Sequence, residues 1–280
     1  MKHTRCSVKR NLLMIALLVL LVLFLLWTII PIYIVVSNSF RKTIEMKVMP
    51  PKLIFEPIFS HYQKLLFFDR FAIYFRNSAI ISISTTTFTI LLGSMAAYGL
   101  KLCKSSIGRR ISNVLLLGKM VPSITILIPL FMLMNRMHLT GTYLAPILTL
   151  SCLSLPFVTW LMTGFIADIP NELIESAGLE GCSRIGIFSR IIIPLLKPAI
   201  ASAIILVMQS SWNELLFSLQ LTNLKTYPLT VGIARYVGAV SVDWGKCSAA
   251  ATITMVPIII IGFFMQKYLV SGMTAGAVKG

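Results

Sequence analysis

Residues able to do ionic or acid–base chemistry are few in this chain, and their placement says more than their number. Of 280 residues only nine are Asp or Glu, and four of these, Asp168, Glu172, Glu175 and Glu180, fall in one stretch, 168–198. A further acid, Glu214, stands in an apolar run directly after Trp212 and Asn213, and Lys119 interrupts another such run. The three histidines (His3, His61, His138) are far apart, and the five cysteines are scattered with no C-x-x-C spacing. Neither a metal site nor a disulfide framework is expected from that pattern. No clustered His, Asp or Ser/Lys constellation occurs, and no G-x-x-x-x-G-K-[ST] phosphate loop. The chain therefore reads as neither an enzyme nor a cofactor-binding protein, and any ATP chemistry it uses belongs to another polypeptide.

The elements that must position these residues are membrane spans. Apolar residues make up 57% of the chain and charged residues 12%, with a mean hydropathy of +0.87, against roughly 25% charged residues in soluble domains. The formal charge of +16 would suggest nucleic acid in a soluble protein. Here Lys and Arg sit at the ends of apolar runs, where anionic headgroups favour them, so lipid is the expected partner and nucleic acid is not. One all-α polytopic domain over 1–280 is expected, with six transmembrane helices at about 12–36, 77–100, 111–134, 144–167, 199–221 and 247–266. The first apolar run is about twice as long as the core of a signal peptide, so it reads as a retained span. Residues 37–76 form the longest loop, in which 61–75 has apolar residues at helical spacing and reads as a short interfacial helix.

The acidic stretch 168–198 reads as two short helices with a glycine corner. Asp168 suits a helix cap and Pro170 a first turn, while the acids complement the positive helix end. Gly181 reads as a left-handed stop and Ser183 as the cap of the second helix, which should end near Pro194. Orientation follows from Lys and Arg in short segments. The amino end and the turn 101–110 hold four each, and the turn 135–143 only Arg136, although the long loop 37–76 holds seven. Both termini are expected inside.

ESAGLEG at 175–181 and IIIPLL at 191–196 resemble the E-A-A-x-x-x-G and downstream I-x-x-x-P elements of the EAA loop in binding-protein-dependent ABC importer permeases. Ser176 replaces the second alanine, and Glu180 stands where the sugar branch usually has Asp. A second match is YLVSGMTAGAVKG at 268–280 with WGKCSAAA at 244–251, similar to the ending of maltose-type second permeases in the carbohydrate uptake branch. The resemblance covers most of the chain and implies a coupling helix, within 172–187, that docks on a cytoplasmic ATPase. By that implication Glu175, Ala177, Gly181, Ile192 and Pro194 couple to the ATPase, and Gly276, Lys279 and Gly280 lie near it. By spacing alone, the same loop reads as an ordinary amphipathic helix with a glycine stop, and the tail as a frayed end.

Trp212, Asn213 and Glu214 resemble the W-N-E element of the sugar branch and are candidates for the translocation path. Glu214 lies roughly 22 Å along a continuous helix from the start of the fifth span. An acid at such depth costs on the order of 3 kcal/mol, so it needs a partner or a wet cavity. Substrate contact and a structural acid satisfied by a neighbouring helix both fit. Lys119 reads as a snorkelling or loop-edge lysine. The family resembled often has a basic residue just before its M-x-P element, here Met120–Pro122, and a role in transport is the lesser alternative. The resemblance implies a permease subunit of a sugar or oligosaccharide importer in the bacterial cytoplasmic membrane. It also implies a second homologous permease, two ABC ATPase subunits and an extracytoplasmic solute-binding protein. A carrier of glycerol-3-phosphate or a polyol leaves much the same signature. A secondary transporter, which needs paired intramembrane charges, is the rival from another class.

Overall fold

The computed structural model describes residues 2–48, 54–103, 105–237 and 242–277, and among them the chain is helical with no named strand. Four helices are long and apolar enough to cross a membrane, and two bent helix pairs raise the number to six if each pair counts as one span. The chain divides into two compact units, Met1–Arg70 with Tyr236–Ile253, and Phe71–Arg235 with Thr254–Gly280.

The first unit contains α1 (Lys2–Ser39), α2 (Ser60–Gln63) with its continuation Lys64–Phe68, and the start of α13 (Trp244–Ala277). From Leu12 to Ile34 the large apolar side chains of α1 point outward, as expected where the surrounding solvent is lipid. Past the end of α1, polar contacts take over. The Ser39 hydroxyl lies 2.7 Å from that of Tyr62, and buried His61 has its Nε2 2.8 Å from the Arg41 carbonyl. Lys246 closes the unit by pairing with Asp69 at 3.0 Å. The helix read across 61–75 is interrupted at Asp69–Arg70, and Phe71 already belongs to the next long helix.

The second unit is built on α3 (Phe71–Leu102) and α6 (Leu144–Ala167), which lie against each other, with α10 (Lys197–Trp212) against both. Gly93 permits the close approach of α3 to α6. A β-carbon there would stand 2.7 Å from Cγ1 of fully buried Val158. Three hydroxyls buried on α3 are satisfied within the helix, Ser82 donating to the Ser78 carbonyl, Thr86 to that of Ser82 and Ser94 to that of Ile90, whereas those of Thr85 and Thr89 find no partner among the described residues. Such back-bonding lets those three hydroxyls sit in an apolar medium. One core cluster joins Ala97, Val158, Met162, Ile166 and Ala203 to the acidic stretch, and another joins Ile81, Leu150, Phe217 and Leu221.

Buried Asn77 ties the segment after α11 (Leu216–Leu221) to α3. Its amide donates to the Lys225 and Tyr227 carbonyls at 3.0 Å each, and its carbonyl accepts from the Tyr143 hydroxyl at 2.7 Å. Residues 222–246, which the six expected spans leave as a connection, contain α12 (Leu229–Ala234), whose first amide donates to the Ser78 hydroxyl at 2.8 Å.

Two runs read as continuous spans are broken. Between α4 (Ser105–Leu117) and α5 (Ser123–Arg136), a short 3-10 turn (Gly118–Met120) precedes a 95° bend. Val121 is extended (φ −72°, ψ 125°) because it precedes Pro122, and a residue before proline is pushed out of the helical region. The second break falls inside 199–221, where α10 ends at Trp212 and α11 begins at Leu216.

Candidate functional site

Two places in the second unit gather the residues singled out above. The first is the corner within 168–196. Asp168, expected to start a helix, instead follows the last residue of α6 as its C-cap, its amide bonded to the Phe165 carbonyl. The next helix, α7 (Asn171–Leu179), begins three residues later, after Pro170, with no side-chain cap bond. The chain turns at once after α6, because Ile169 is buried in the core and its carbonyl accepts from the Lys101 ammonium at 3.1 Å. That tertiary contact moves the start of α7 away from Asp168.

At the far end of α7, Gly181 has φ +84°, a conformation that costs an L-residue roughly 1–2 kcal/mol. The Cys182 amide bonds to the Ala177 carbonyl at 3.0 Å and the Gly181 amide to that of Gly178 at 3.1 Å. This pair of bonds is a Schellman closure. The Ser183 hydroxyl then accepts from the Gly186 amide at 3.1 Å and starts α8 (Arg184–Ile187). A wider turn (Phe188–Ile192) and α9 (Ile193–Leu195) complete the stretch, and a 77° bend leads into α10.

Burial sorts the residues of the corner. Ala177, Ile187 and Ile192 face the core, with Ile192 fully buried, and Phe188 lies against the Tyr98 ring at 5.7 Å. Glu172, Glu175, Gly181 and Pro194 face outward. So do two apolar side chains that sequence reading did not single out, Leu179 at 90% exposure and Ile185 at 79%. They flank the glycine corner and present an apolar edge beside the acids. Ile192 and Pro194 therefore have different positions: the first holds the corner down, and the second lies on its surface. Gly276 lies near the end of α13, while Lys279 and Gly280 lie outside the described residues.

The second place is a cavity of about 350 Å³ where both broken runs meet α6. Lys119, Ser123, Ser154, Ser210, Ser211, Asn213 and Glu214 are its polar lining residues, and the Ser211 hydroxyl is spent on the Val207 carbonyl at 2.7 Å. Trp212 is turned away from it. The indole is buried, donates to the Thr254 carbonyl at 3.2 Å and meets Phe75 edge-on at 5.5 Å. The Asn213 amide nitrogen donates to the Gln209 carbonyl at the end of α10.

Glu214 explains the break. Its Oε1 accepts from the Phe217 amide at 2.7 Å, and its Oε2 from the Ser218 amide and hydroxyl at 2.9 and 2.8 Å. In a continuous helix those amides would bond to carbonyls one turn back. The carboxylate replaces those acceptors and starts α11 afresh, as side-chain caps do. Thr230 donates to the Glu214 carbonyl, which fixes the exposed backbone of the break. Both carboxylate oxygens are thus engaged by the chain itself.

The family model for binding-protein-dependent transport system inner membrane components matches residues 89–275. The arabinooligosaccharides transport system permease protein AraQ of Bacillus subtilis (strain 168) is 32% identical over 272 residues, covering 95% of this chain and 96% of that protein. The trehalose/maltose transport system permease protein MalG of Thermococcus litoralis is 35% identical over 215 residues, 75% and 76% of the two chains. Among solved structures, a bacterial ABC transporter involved in the import of the acidic polysaccharide alginate matches with a TM-score of 0.80. It is 23% identical, and the match covers 92% of this chain and 97% of that one. At that identity it speaks for the fold.

Proposed function

The chain belongs to the binding-protein-dependent transport system inner membrane components, and we propose that it is the permease subunit of an ATP-driven importer passing a sugar or oligosaccharide across a bacterial cytoplasmic membrane. The carbohydrate class is supported by relatives named for arabinooligosaccharide and trehalose/maltose transport. A second, homologous permease, two ATPase subunits and an extracytoplasmic solute-binding protein complete the importer. Both termini and the corner face the cytoplasm, a reading supported by Lys and Arg at the amino end and in 101–110.

The observation that carries the proposal is the two-sided build of the corner. Its inner face is continuous with the core shared by α3, α6 and α10, while its outer face offers Glu175, Leu179 and Ile185 to a partner. ATP-driven closure of the ATPases pushes on α7. Ala177, Ile187 and Ile192 pass the displacement to the packed spans as a rigid-body change between inward- and outward-facing states. Gly181 keeps the corner tight and its outer face free of side-chain bulk, and Pro194 borders that face. Residues 276–280 are assigned to the same ATPase side by the likeness of the tail to maltose-type permeases.

Purification of the tagged chain in mild detergent tests this directly. Mass spectrometry is expected to find a cytoplasmic ATPase and a second polytopic permease. Leu179→Asp combined with Ile185→Asp is expected to lose the ATPase and keep the sister permease. A lone chain, recovered gently from cells that contain the ATPase, would overturn the reading in favour of a secondary transporter.

A further inference from the structure

The cavity at the two helix breaks holds unspent polar groups of a particular kind. Backbone may leave the helix at membrane depth only where protein buries it or a wet cavity receives it. Here the breaks at 121–122 and 213–215 open on the same 350 Å³ space, which lies within the ~300–1,000 Å³ range of small-molecule sites. Its single carboxylate is spent, because the amides of Phe217 and Ser218 and the Ser218 hydroxyl bind both oxygens of Glu214. The Lys119 ammonium, by contrast, makes no ion pair among the described residues. Ser123, Ser154, Ser210 and Asn213 line the same cavity, and of the Asn213 side chain only the amide nitrogen is used internally. The free groups are therefore one cation, three hydroxyls and one amide oxygen.

We infer that this cavity takes a saccharide carrying an acid group, with Lys119 as the residue that recognises the oxyanion. Sugar hydroxyls match the serines, which can donate or accept, and the Asn213 side-chain carbonyl, which accepts. Only an anionic substituent answers the lysine, since a charge-assisted hydrogen bond is stronger than a neutral one. A carboxylate of a uronic acid and a sulfonate on a sugar ring share the required chemistry. The inference rests on the importer reading and narrows its cargo.

The test uses the complete importer in two steps. ATP-dependent uptake into proteoliposomes is measured first for labelled oligouronate, a sulfonated sugar glycoside and their neutral counterparts. An assembled complex that hydrolyses ATP and takes up none of them would defeat the sugar-importer reading, and this inference with it. Binding of the same compounds is then measured by equilibrium dialysis on the detergent-purified permease–ATPase complex without its binding protein. The expected result is an acidic saccharide bound at least about tenfold more tightly than its neutral counterpart, the size of a charged hydrogen bond. Lys119→Gln should remove that preference and Lys119→Arg should restore it, and whether uronate or sulfonate binds more tightly identifies the acid. Uptake with equal binding of acidic and neutral sugars, or an unchanged preference in Lys119→Gln, overturns the inference and leaves the importer reading standing. So does failure of Lys119→Gln to co-purify with its partners, which would make Lys119 a structural residue.

Discussion

The corner at 168–196 and the break at 213–215 both interrupt a helical run, and they do so by opposite means. At the corner the backbone itself turns: glycine takes a left-handed conformation at φ +84° and a serine hydroxyl restarts the helix. At the break no glycine or proline is present, and a carboxylate substitutes for the missing acceptors. The first device depends on a residue that lacks a side chain, the second on one ionisable side chain. The corner should therefore tolerate loss of neighbouring side chains and fail when bulk is added, and the break should behave the other way round.

The largest effect expected is from Gly181→Arg. A β-carbon at Gly181 meets nothing within 4 Å, so space inside the chain does not forbid the change. The cost is the strained φ, roughly 1–2 kcal/mol, together with an arginine placed on the outward face. Transport should be abolished while the chain stays in the membrane. Normal uptake by this variant would remove the corner from the coupling path.

Glu214→Ala should come next. Losing the acceptor of two amides and a hydroxyl should lower stability by about 1–3 kcal/mol, read as a fall in Tm of the purified complex. Glu214→Gln, which keeps one acceptor oxygen, should fall between. If Glu214→Ala leaves Tm unchanged but weakens sugar binding, the acid serves the cargo rather than the fold, and the contrast between the two interruptions collapses.

Leu179→Ser probes the outer edge of the corner alone. Because this side chain is 90% exposed, Tm should not move, and co-purification of the ATPase should weaken several-fold. A drop in Tm with undiminished ATPase recovery would mean that Leu179 packs against the membrane subunits instead. The smallest effect is expected from Gly181→Ala, which carries the same strain of roughly 1–2 kcal/mol without the bulk and should only slow transport. Comparing it with Gly181→Arg separates backbone strain from obstruction of the docking face.

Much of the corner was legible in advance because its signals are local. A glycine closing a short helical stretch and a serine two residues later depend only on near-neighbour backbone geometry, and the structure has both in those roles. Asp168 was misjudged because the contact of Lys101 with the Ile169 carbonyl joins residues far apart in sequence. The break before α11 was hidden for another reason. Glu214 differs from an ordinary mid-span acid only in which amides its carboxylate reaches, and no spacing rule records that. Leu179 and Ile185 were hidden too, since an apolar residue in an apolar chain carries no mark of the side it faces.

By itself, then, the sequence determined the all-helical membrane character, the family likeness of the corner and the tail, and the glycine turn. Each of these depends on composition or on residues close along the chain. Only the tertiary structure decided that Glu214 is spent on a helix start, that Trp212 is packing, and that Lys119 lines a cavity with serines where, among the described residues, the one acid is already engaged. Those outcomes depend on which donors and acceptors remain after the helices have packed, and that remainder exists only once distant segments have met.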